Sequence, residues 1–288
     1  MSWPSNPQAP AQTGAPPTCY RHPGRETYVS CQRCGRPICP DCMQPASVGF
    51  HCPQCVAEGS ATVRAPRSAL GARLRAGTPV TYGLIALCVL VYLGQRVDPG
   101  LTGRFFLYGG APGSGGVAGG QPYRLLTAVF LHESLLHIGF NMMSLWFIGR
   151  PLESALGRAR YLGVFVVGGL AGSATAYWLA DPAQPSLGAS GAVFALFGTL
   201  LVVARSVHAD LRSMIGILVL NLVFSFTGGI SWQAHVGGLV AGLLLGLVLV
   251  RAPRGHRAAV TVGAFVVVLV VLAVAVATRT ADLGGALL

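Results

Sequence analysis

A serine flanked by glycines has the surroundings in this sequence that most suggest chemistry. Ser190 lies in the tetrapeptide Gly188-Ala189-Ser190-Gly191, directly before the apolar run 192–204. A serine hydroxyl becomes a nucleophile when a neighbouring base takes its proton, and histidine is the commonest base. His235 is the candidate base, because it lies near the start of a later apolar run. A serine at a helix start also serves as an N-cap, so the pairing depends on the elements that carry the two residues.

The composition is that of a protein that crosses the membrane several times. Of its 288 residues, 52% are hydrophobic and only 10% are charged, whereas soluble domains carry about 25% charged residues. A helix needs about 20 mostly apolar residues to cross the bilayer. Seven such spans are predicted, at residues 79–96, 134–150, 161–180, 188–206, 212–230, 232–251 and 258–278. The predicted fold class is therefore an all-α polytopic membrane protein, a seven-span helical bundle preceded by a small soluble module.

The arginines predict the orientation, since cytoplasmic loops carry an excess of positive charge. They gather before the first span, after the second, between the fourth and fifth, and after the sixth. The N-terminus is therefore predicted to be cytoplasmic and the C-terminus outside, with the chain in the plasma membrane. The same pattern explains the net charge of +11, so no nucleic-acid partner is expected. The glycine-rich outer loop 97–133 is long enough to have a structure of its own.

This topology places five polar residues at one depth. Spans two, four and six all run from outside to inside, so their first turns share the outer layer of the membrane. That layer holds Ser190, His235, His132, His137 and Asn141. Polar side chains inside a membrane usually face a bundle interior and mark function. Each has a simpler explanation, as a helix cap, an interfacial histidine or a packing amide, but those explanations leave the common depth unexplained.

Small residues predict where spans four and six touch. Gly238 and Gly242 lie four residues apart in span six, and Gly191 begins a similar stripe in span four. Such stripes let two helices approach backbone to backbone. We expect this contact to bring the Ser190 hydroxyl within hydrogen-bond reach of the His235 ring.

The chemistry that these residues support is acyl transfer. No acidic residue is obviously placed to orient His235, so the sequence predicts a Ser–His dyad without a carboxylate. Acyl transfer also requires hydrogen-bond donors where the oxyanion forms. The backbone N–H of Ser190 and the side chains of Asn141 and His137 are the predicted donors, with His132 in support. This chemistry needs no cofactor.

The N-terminal segment has the composition of a separate unit. Residues 1–18 are rich in proline and alanine and are predicted to be disordered. Residues 19–57 then carry four pairs of metal-ligating residues with two-residue spacing: Cys19 and His22, Cys31 and Cys34, Cys39 and Cys42, Cys52 and Cys55. Eight such ligands predict two closed, structural Zn²⁺ sites, whose metal would supply the folding energy of so short a segment. The alternative is a disulfide framework, which a cytosolic location disfavours.

The spacing of these pairs resembles a B-box-like zinc finger, in which pairs bind in alternation. The resemblance implies one ion held by Cys19, His22, Cys39 and Cys42, and a second held by Cys31, Cys34, Cys52 and Cys55. The last pair departs from the usual B-box, where histidines are common, which leaves His51 as a candidate substitute ligand. We expect this module to bind a protein partner or to order the N-terminus. The basic linker 58–78 follows, either as a membrane-surface helix over 68–75 or as simple positive-inside charge.

Three motifs, in this order, resemble those of the rhomboid family of intramembrane serine proteases. They are His132-Glu-Ser-Leu-Leu-His137-Ile-Gly-Phe-Asn141-Met142, Gly188-Ala189-Ser190-Gly191 and Ala234-His235-Val236-Gly237-Gly238, and the segment 123–127 before span two also matches. The resemblance covers about 79–251, as a six-span core, and leaves 252–288 as an extra C-terminal span and tail. It implies cleavage of membrane-anchored proteins near the outer membrane face, an outer loop partly embedded in the membrane, and lateral substrate entry beside span five.

Phe194 departs from the rhomboid pattern. Many members of the family have a tyrosine at this position, four residues after the nucleophile, whose ring stacks on the catalytic histidine. A phenylalanine can still stack but has no hydroxyl. We therefore expect Phe194 to contact His235 through its ring alone.

Two other classes of function compete with a protease. The first is an inactive rhomboid-like protein that binds membrane clients, although such relatives generally lack the serine or the histidine. The second is a transporter or haem protein that uses the histidines, which the absence of internal repeats and their position near one membrane face disfavour. The expected partners are therefore membrane proteins with a transmembrane segment, and the lipid bilayer itself.

Overall fold

The structure is a computed structural model that describes residues 15–63, 67–72, 77–110, 115–226 and 231–285. The chain divides into two compact units, residues 1–65 and 66–288.

The N-terminal unit is built from very short strands. β1 (Thr18–Cys19) pairs antiparallel with β2 (His22–Glu26), β3 (Gln44–Pro45) pairs antiparallel with β4 (Phe50–His51), and helix α1 (Pro53–Thr62) follows. Its buried cluster consists of six cysteines and Ile38, a core too small to be stable without a metal ion or another internal cross-link. β1 begins at Thr18, inside the segment predicted to be disordered, and residues 1–14 of that segment lie outside the described residues.

The second unit is helical, and each predicted span overlaps one of its helices. The helices are α2 (Pro79–Val97), α3 (Pro99–Phe105), α4 (Arg124–Thr127), α5 (Leu135–Leu156), α6 (Arg158–Leu179), α7 (Ser190–Ser206), α8 (Arg212–Phe224), α9 (Trp232–Arg251) and α10 (Arg257–Gly285). A 3-10 turn over Ala128–Phe130 continues α4.

The number of spans depends on the criterion. Among the described residues, α2, α6, α9 and α10 are long and apolar enough to cross a membrane by length and composition. The segment Arg124–Phe130 and α5 together pass the same test but are bent by 92°, which gives a fifth. α7, with 17 residues, and α8, with 13, are shorter. Length therefore supports four or five membrane spans, and the predicted count of seven is not established by it.

Side chains at the helix ends explain where α2 and α5 begin and stop. The Ser134 hydroxyl accepts the backbone N–H of His137 and caps the start of α5. Gly157 follows α5 with a φ of 82°, a left-handed conformation that stops the helix. The buried Glu153 carboxylate accepts two backbone N–H groups at the start of α2 and the Thr81 hydroxyl. The start of α2 and the end of α5 therefore lie together.

The core of this unit is formed by α6, α7 and α9. Tyr161, Phe165, Leu196 and Leu245 are almost fully enclosed there. α2 and α10 flank the core and leave large apolar side chains exposed, as expected of helices that face lipid.

The segment before α2 forms a turn. A surface helix was one of two alternatives for 68–75, but residues 68–72 form a tight turn, in which the backbone N–H of Gly71 donates to Ser68 and that of Ser68 to Ala72. Leu70 is buried against the helix core, and residues 73–75 lie outside the described part. A buried apolar side chain and local backbone bonds thus take the place of the helical alternative at 68–72.

Candidate active site

Small residues let α7 and α9 touch backbone to backbone. A Cβ atom on Gly238 would overlap the carbonyl group of Gly191, and Gly242 is similarly close to the backbone of α7 one turn further along. Only glycine fits at these contacts, so the register of α7 against α9 is fixed. The crossing brings the first turns of the two helices together, and these turns carry Ser190 and His235.

The His235 ring is buried and held on two sides. Its relative exposure is 6%. The ring of Phe194 stacks on its face, with centroids 4.3 Å apart and planes 12° from parallel. Its Nδ1 atom lies 2.5 Å from the Ser225 hydroxyl oxygen. We expected the ring to reach Ser190, but no hydrogen bond joins Ser190 to His235 between the described residues, and the ring bonds Ser225 instead.

Ser190 is the first residue of α7 and is partly exposed. The N-cap position belongs to Ala189, which makes no side-chain cap bond, so the simpler explanation of Ser190 as an N-cap does not describe this helix. The first N–H groups of a helix have no partner within it, and Ser190 contributes one of them. The loop that leads to α7 is fixed by the backbone N–H of Gly188, which donates to the carbonyl of Ala128 at 2.9 Å.

His137 lies against this loop. Its Nε2 atom is 2.7 Å from the position that a Cβ atom on residue 188 would take, and Gly188 has a φ of 129°. The backbone N–H of Glu133 donates to Nδ1 of His137 at 3.5 Å. A ring whose Nδ1 accepts a hydrogen bond carries its proton on Nε2, so the donor of His137 faces the start of α7.

Asn141 and His132 take supporting positions. The Asn141 Nδ2 atom donates to the carbonyl of His137 at 3.0 Å, and a side-chain amide has a second N–H to give. His132 is 1% exposed, and its ring contacts that of His137 edge-on at 5.2 Å. Neither ring nitrogen of His132 has a hydrogen-bond partner within the described ranges.

Two residues that sequence reasoning did not single out also support the site. Ser225 follows α8 and is 1% exposed. Gln95, near the C-terminal end of α2, accepts the backbone N–H of His132 at 3.0 Å and donates to Thr102 at 2.8 Å. Each is a polar residue within or beside an apolar segment, and that is the only signal that the sequence offers for them.

The loop between α2 and α5 is held by a buried arginine. Arg124 is 7% exposed and donates to the carbonyls of Gly103 and Phe106, at 3.1 and 2.9 Å. It also donates to Gln121 at 2.6 Å. These bonds give the loop between α2 and α5 the ordered structure that its length suggested.

The N-terminal unit gathers the predicted metal ligands into two groups. One group is Cys19, His22, Cys39 and Cys42, and the other is Cys31, Cys34, Cys52 and Cys55. In each, the ligand atoms lie within 4.8 Å of one another. These are the groups that pairing in alternation implies, and His51 belongs to neither. All eight cysteines of the chain are free thiols.

The ligand spacing suits zinc. His22 Nδ1 lies 3.3 Å from Cys39 Sγ and 3.5 Å from Cys42 Sγ, and the Sγ atoms of Cys34 and Cys52 are 3.8 Å apart. Zn–S and Zn–N bonds of about 2.3 and 2.0 Å give tetrahedral edges of about 3.5 to 3.8 Å. The donor set and its dimensions therefore fit two structural zinc ions.

Backbone amides favour thiolates in both groups. Burial raises the pKa of Cys19, but N–H groups that include that of Cys39 lower it more, to about 6. The pKa of Cys31 is likewise about 6, because amides that include that of Cys52 outweigh burial. Since the thiolate is the form that binds metal, Cys19 and Cys31 each offer their group a ligand near neutral pH. Burial and the neighbouring cysteines raise the pKa of Cys42 to about 11 and that of Cys55 to about 12, so these two thiols lose their protons only when a metal ion binds.

Comparison with known proteins places residues 119–252 under a family model described as Rhomboid domain. "Putative rhomboid protease YdcA" of Bacillus subtilis is 35% identical over 142 residues, which cover 47% of this chain and 71% of that protein. "Rhomboid protease GlpG" of Serratia proteamaculans is 33% identical over 183 residues, or 60% of this chain and 63% of that protein.

Other relatives are longer than the region they share with this chain. "Rhomboid protease GluP" of Bacillus subtilis is 35% identical over 169 residues, which cover 56% of this chain but only 33% of that protein. The match to "RHOMBOID-like protein 5" of Arabidopsis thaliana covers 46% of that protein. The chain thus spans a third to a half of the length of these two curated relatives.

Proposed function

The chain belongs to the rhomboid family of integral membrane proteins, and we propose that it is an intramembrane serine endopeptidase. In this proposal Ser190 is the nucleophile and His235 the base, without a carboxylate and without a catalytic cofactor. The observation that supports the proposal is the close crossing of α7 and α9, whose first turns carry Ser190 and the buried His235. Packing alone would require the glycines of this crossing but neither polar residue.

The proposed reaction begins when the Ser190 hydroxyl attacks the scissile carbonyl carbon and its proton passes to Nε2 of His235. The oxyanion accepts hydrogen bonds from the Ser190 backbone N–H, from His137 and from the second N–H of Asn141. His235 then gives its proton to the leaving nitrogen, and an amine departs from the acyl-enzyme. Water attacks the ester, gives its proton to His235, and releases a carboxylate as Ser190 regains its hydrogen. His132 supports the His137 ring throughout.

The proposed substrates are membrane proteins with a transmembrane segment, cut near the outer membrane face. The site lies in the first turns of α7 and α9, and Ser190 is partly exposed there, so water can reach it. A reporter protein with one helix-destabilised span, reconstituted with the chain, should be cut by the wild type and not by Ser190→Ala or His235→Ala. Ser154→Ala is the matched control, since Ser154 is an exposed serine at the far end of α5. Unchanged cleavage by Ser190→Ala would refute the assignment.

The second candidate function is capture of membrane clients without cleavage, as an inactive rhomboid-like protein. Both polar residues of the dyad are present, which favours activity. Co-purification of the uncut reporter separates the two functions. An enzyme releases two fragments. A client-binding protein retains the intact reporter, and its wild-type and His235→Ala forms retain it equally well.

We also propose a six-plus-one arrangement in the plasma membrane, with the N-terminus in the cytoplasm and the C-terminus outside. In this arrangement the shorter helices α7 and α8 also count as spans. α7 is enclosed by its neighbours, so its ends need not reach both membrane surfaces. A reporter active only outside the cytoplasm, fused after Leu288, should be active. The same reporter fused before Met1 should be inactive, and the reverse result would refute the orientation.

The N-terminal unit is proposed to bind two structural zinc ions in a B-box-like arrangement and to recruit a protein partner. The two ligand groups of the unit support the metal sites. The unit would act on substrate choice rather than on chemistry, because none of its residues takes part in the proposed reaction. Residues of the linker 58–78 connect it to the core.

A further inference from the structure

Ser225 makes two contacts through one hydroxyl. Its oxygen lies 2.5 Å from Nδ1 of His235 and 2.8 Å from the backbone carbonyl oxygen of Asn221. Ser225 is 1% exposed and His235 is 6% exposed, so water does not compete strongly for either group. The first contact joins the end of α8 to the first turn of α9.

The number of protons decides the direction of these two bonds. A hydroxyl has one hydrogen to donate, and a carbonyl oxygen can only accept. The Ser225 hydrogen therefore goes to Asn221, and the Ser225 oxygen accepts the hydrogen of Nδ1–H. A neutral imidazole that carries its proton on Nδ1 has its lone pair on Nε2, which is the nitrogen that the proposed reaction uses.

We propose that Ser225 is a positioning residue that sets the tautomer and the orientation of His235. This inference rests on the proposed function. It adds to the proposed dyad a third group, the Ser225 hydroxyl, in the place that a carboxylate takes in a catalytic triad. In a Ser–His–Asp triad the carboxylate accepts Nδ1–H and holds the imidazole in the productive tautomer. Here a neutral hydroxyl accepts the same hydrogen, while Phe194 holds the face of the ring at 4.3 Å.

The proposal differs from two simpler roles of a buried serine. Serines in helices commonly donate to the carbonyl four residues earlier, and a buried ring nitrogen needs some partner. Either role predicts that loss of the hydroxyl changes stability only. The positioning role predicts a change in chemistry, because an imidazole without this acceptor also populates the tautomer with Nε2–H, which cannot take the Ser190 proton.

The kinetic test is Ser225→Ala in the full chain, with the reporter substrate. We expect kcat to fall about tenfold while KM stays within about twofold, the size expected for one buried hydrogen bond. The rate at which a fluorophosphonate labels Ser190 should fall in parallel, which excludes an effect on substrate entry. Ser225→Thr keeps the hydroxyl and should recover most of both rates. Ser154→Ala removes a hydroxyl that donates to the carbonyl of Arg150 at 3.0 Å without a histidine partner, and should have no effect.

The direct test is the tautomer itself, measured by nitrogen NMR on the wild-type chain with ¹⁵N-labelled histidine. The His235 resonance is identified by its absence from His235→Ala. We expect the Nδ1–H form in the wild type and a mixture with Nε2–H in Ser225→Ala. An Nε2–H form in the wild type would overturn the proposal even if Ser225→Ala failed to fold.

The outcomes also separate this inference from the proposed function. If Ser190→Ala and His235→Ala abolish cleavage but Ser225→Ala keeps the wild-type kcat, the protease assignment stands and the role of Ser225 is wrong. If cleavage survives Ser190→Ala, the protease assignment itself fails.

Discussion

Gly188 combines two constraints at the entrance to α7. Its φ of 129° lies in a region that other residue types rarely adopt, and the His137 ring occupies the space that a side chain would need. Both constraints serve the proposed site, because Gly188 fixes the loop before Ser190 and lets the His137 donor approach it.

Gly188→Ala should therefore reduce cleavage at least tenfold and cost about 1 to 3 kcal/mol of stability, since the new methyl group meets the ring and the backbone must leave its φ. Both are measured with the reporter assay and by thermal unfolding in detergent. Gly139→Ala is the matched control, because a Cβ at Gly139 in α5 meets nothing within 4 Å. That control should cleave normally, and full activity in Gly188→Ala would contradict the proposed geometry.

Residue types and membrane depth were enough to assemble most of the candidate site from the sequence. Ser190, His235 and His137 could be grouped because strongly polar residues are rare inside membrane spans. Ser225 could not be found in this way, since a serine in a helix normally bonds its own backbone. Gln95 could not be predicted either, because its role depends on the fold of the loop between α2 and α5, which brings His132 to the end of α2.

At the scale of elements, the glycines of α7 and α9 determine how the two helices that carry the proposed dyad cross. A larger residue at Gly238 must push α9 away from the Gly191 carbonyl. The displacement would act on His235, one turn earlier in α9, and so would couple stability to activity. Glycine in a helix interior otherwise weakens it, so the helix crossing explains why it is present.

Gly238→Ala should lower stability by about 1 to 3 kcal/mol and reduce cleavage, because the added methyl group forces the helices apart. Thermal unfolding and the reporter assay measure the two effects on one preparation. Gly263→Ala serves as the control, as a Cβ there in α10 meets nothing within 4 Å. An unchanged unfolding temperature in Gly238→Ala would show that the α7–α9 contact is looser than described.

The sequence located the helices better than it located their ends. Apolar runs mark every helix from α5 to α10, whereas α5 continues six residues past the predicted end at 150, through Pro151 to Leu156. α8 ends at Phe224, before the predicted 230, and residues 227–230 lie outside the described part. At 68–72 the sequence left two alternatives open, and the buried side chain of Leu70 decides the local structure there.

At the scale of the whole molecule, the chain joins a unit with two groups of potential metal ligands to a rhomboid membrane core. Cysteine spacing was sufficient to predict the four ligand pairs, since two-residue spacing limits which atoms can meet, whereas the grouping of the pairs came only from the resemblance to a B-box. The identity of a partner protein does not follow from spacing, because it depends on the exposed surface of the unit.

Metal analysis of the purified chain should find two zinc ions, and Cys31→Ser combined with Cys34→Ser should leave about one, as three or more ligands are needed to retain an ion. Deletion of residues 1–60 should remove both ions and leave cleavage of a purified reporter unchanged. Zinc retained after the double substitution would refute the assigned ligands, and loss of cleavage by a folded truncated chain would refute the separation of the two units.

The central claim is that Ser190 is a nucleophile activated by His235. The most direct measurement is labelling of the full chain by a fluorophosphonate probe, followed by peptide mapping of the adduct. We predict one adduct on Ser190 and no adduct in Ser190→Ala. Labelling should be at least a hundredfold slower in His235→Ala, because general-base catalysis typically contributes a factor of about 100 to 10,000. Ser154→Ala should be labelled at the normal rate. An adduct on another residue, or wild-type labelling in His235→Ala, would contradict the claim.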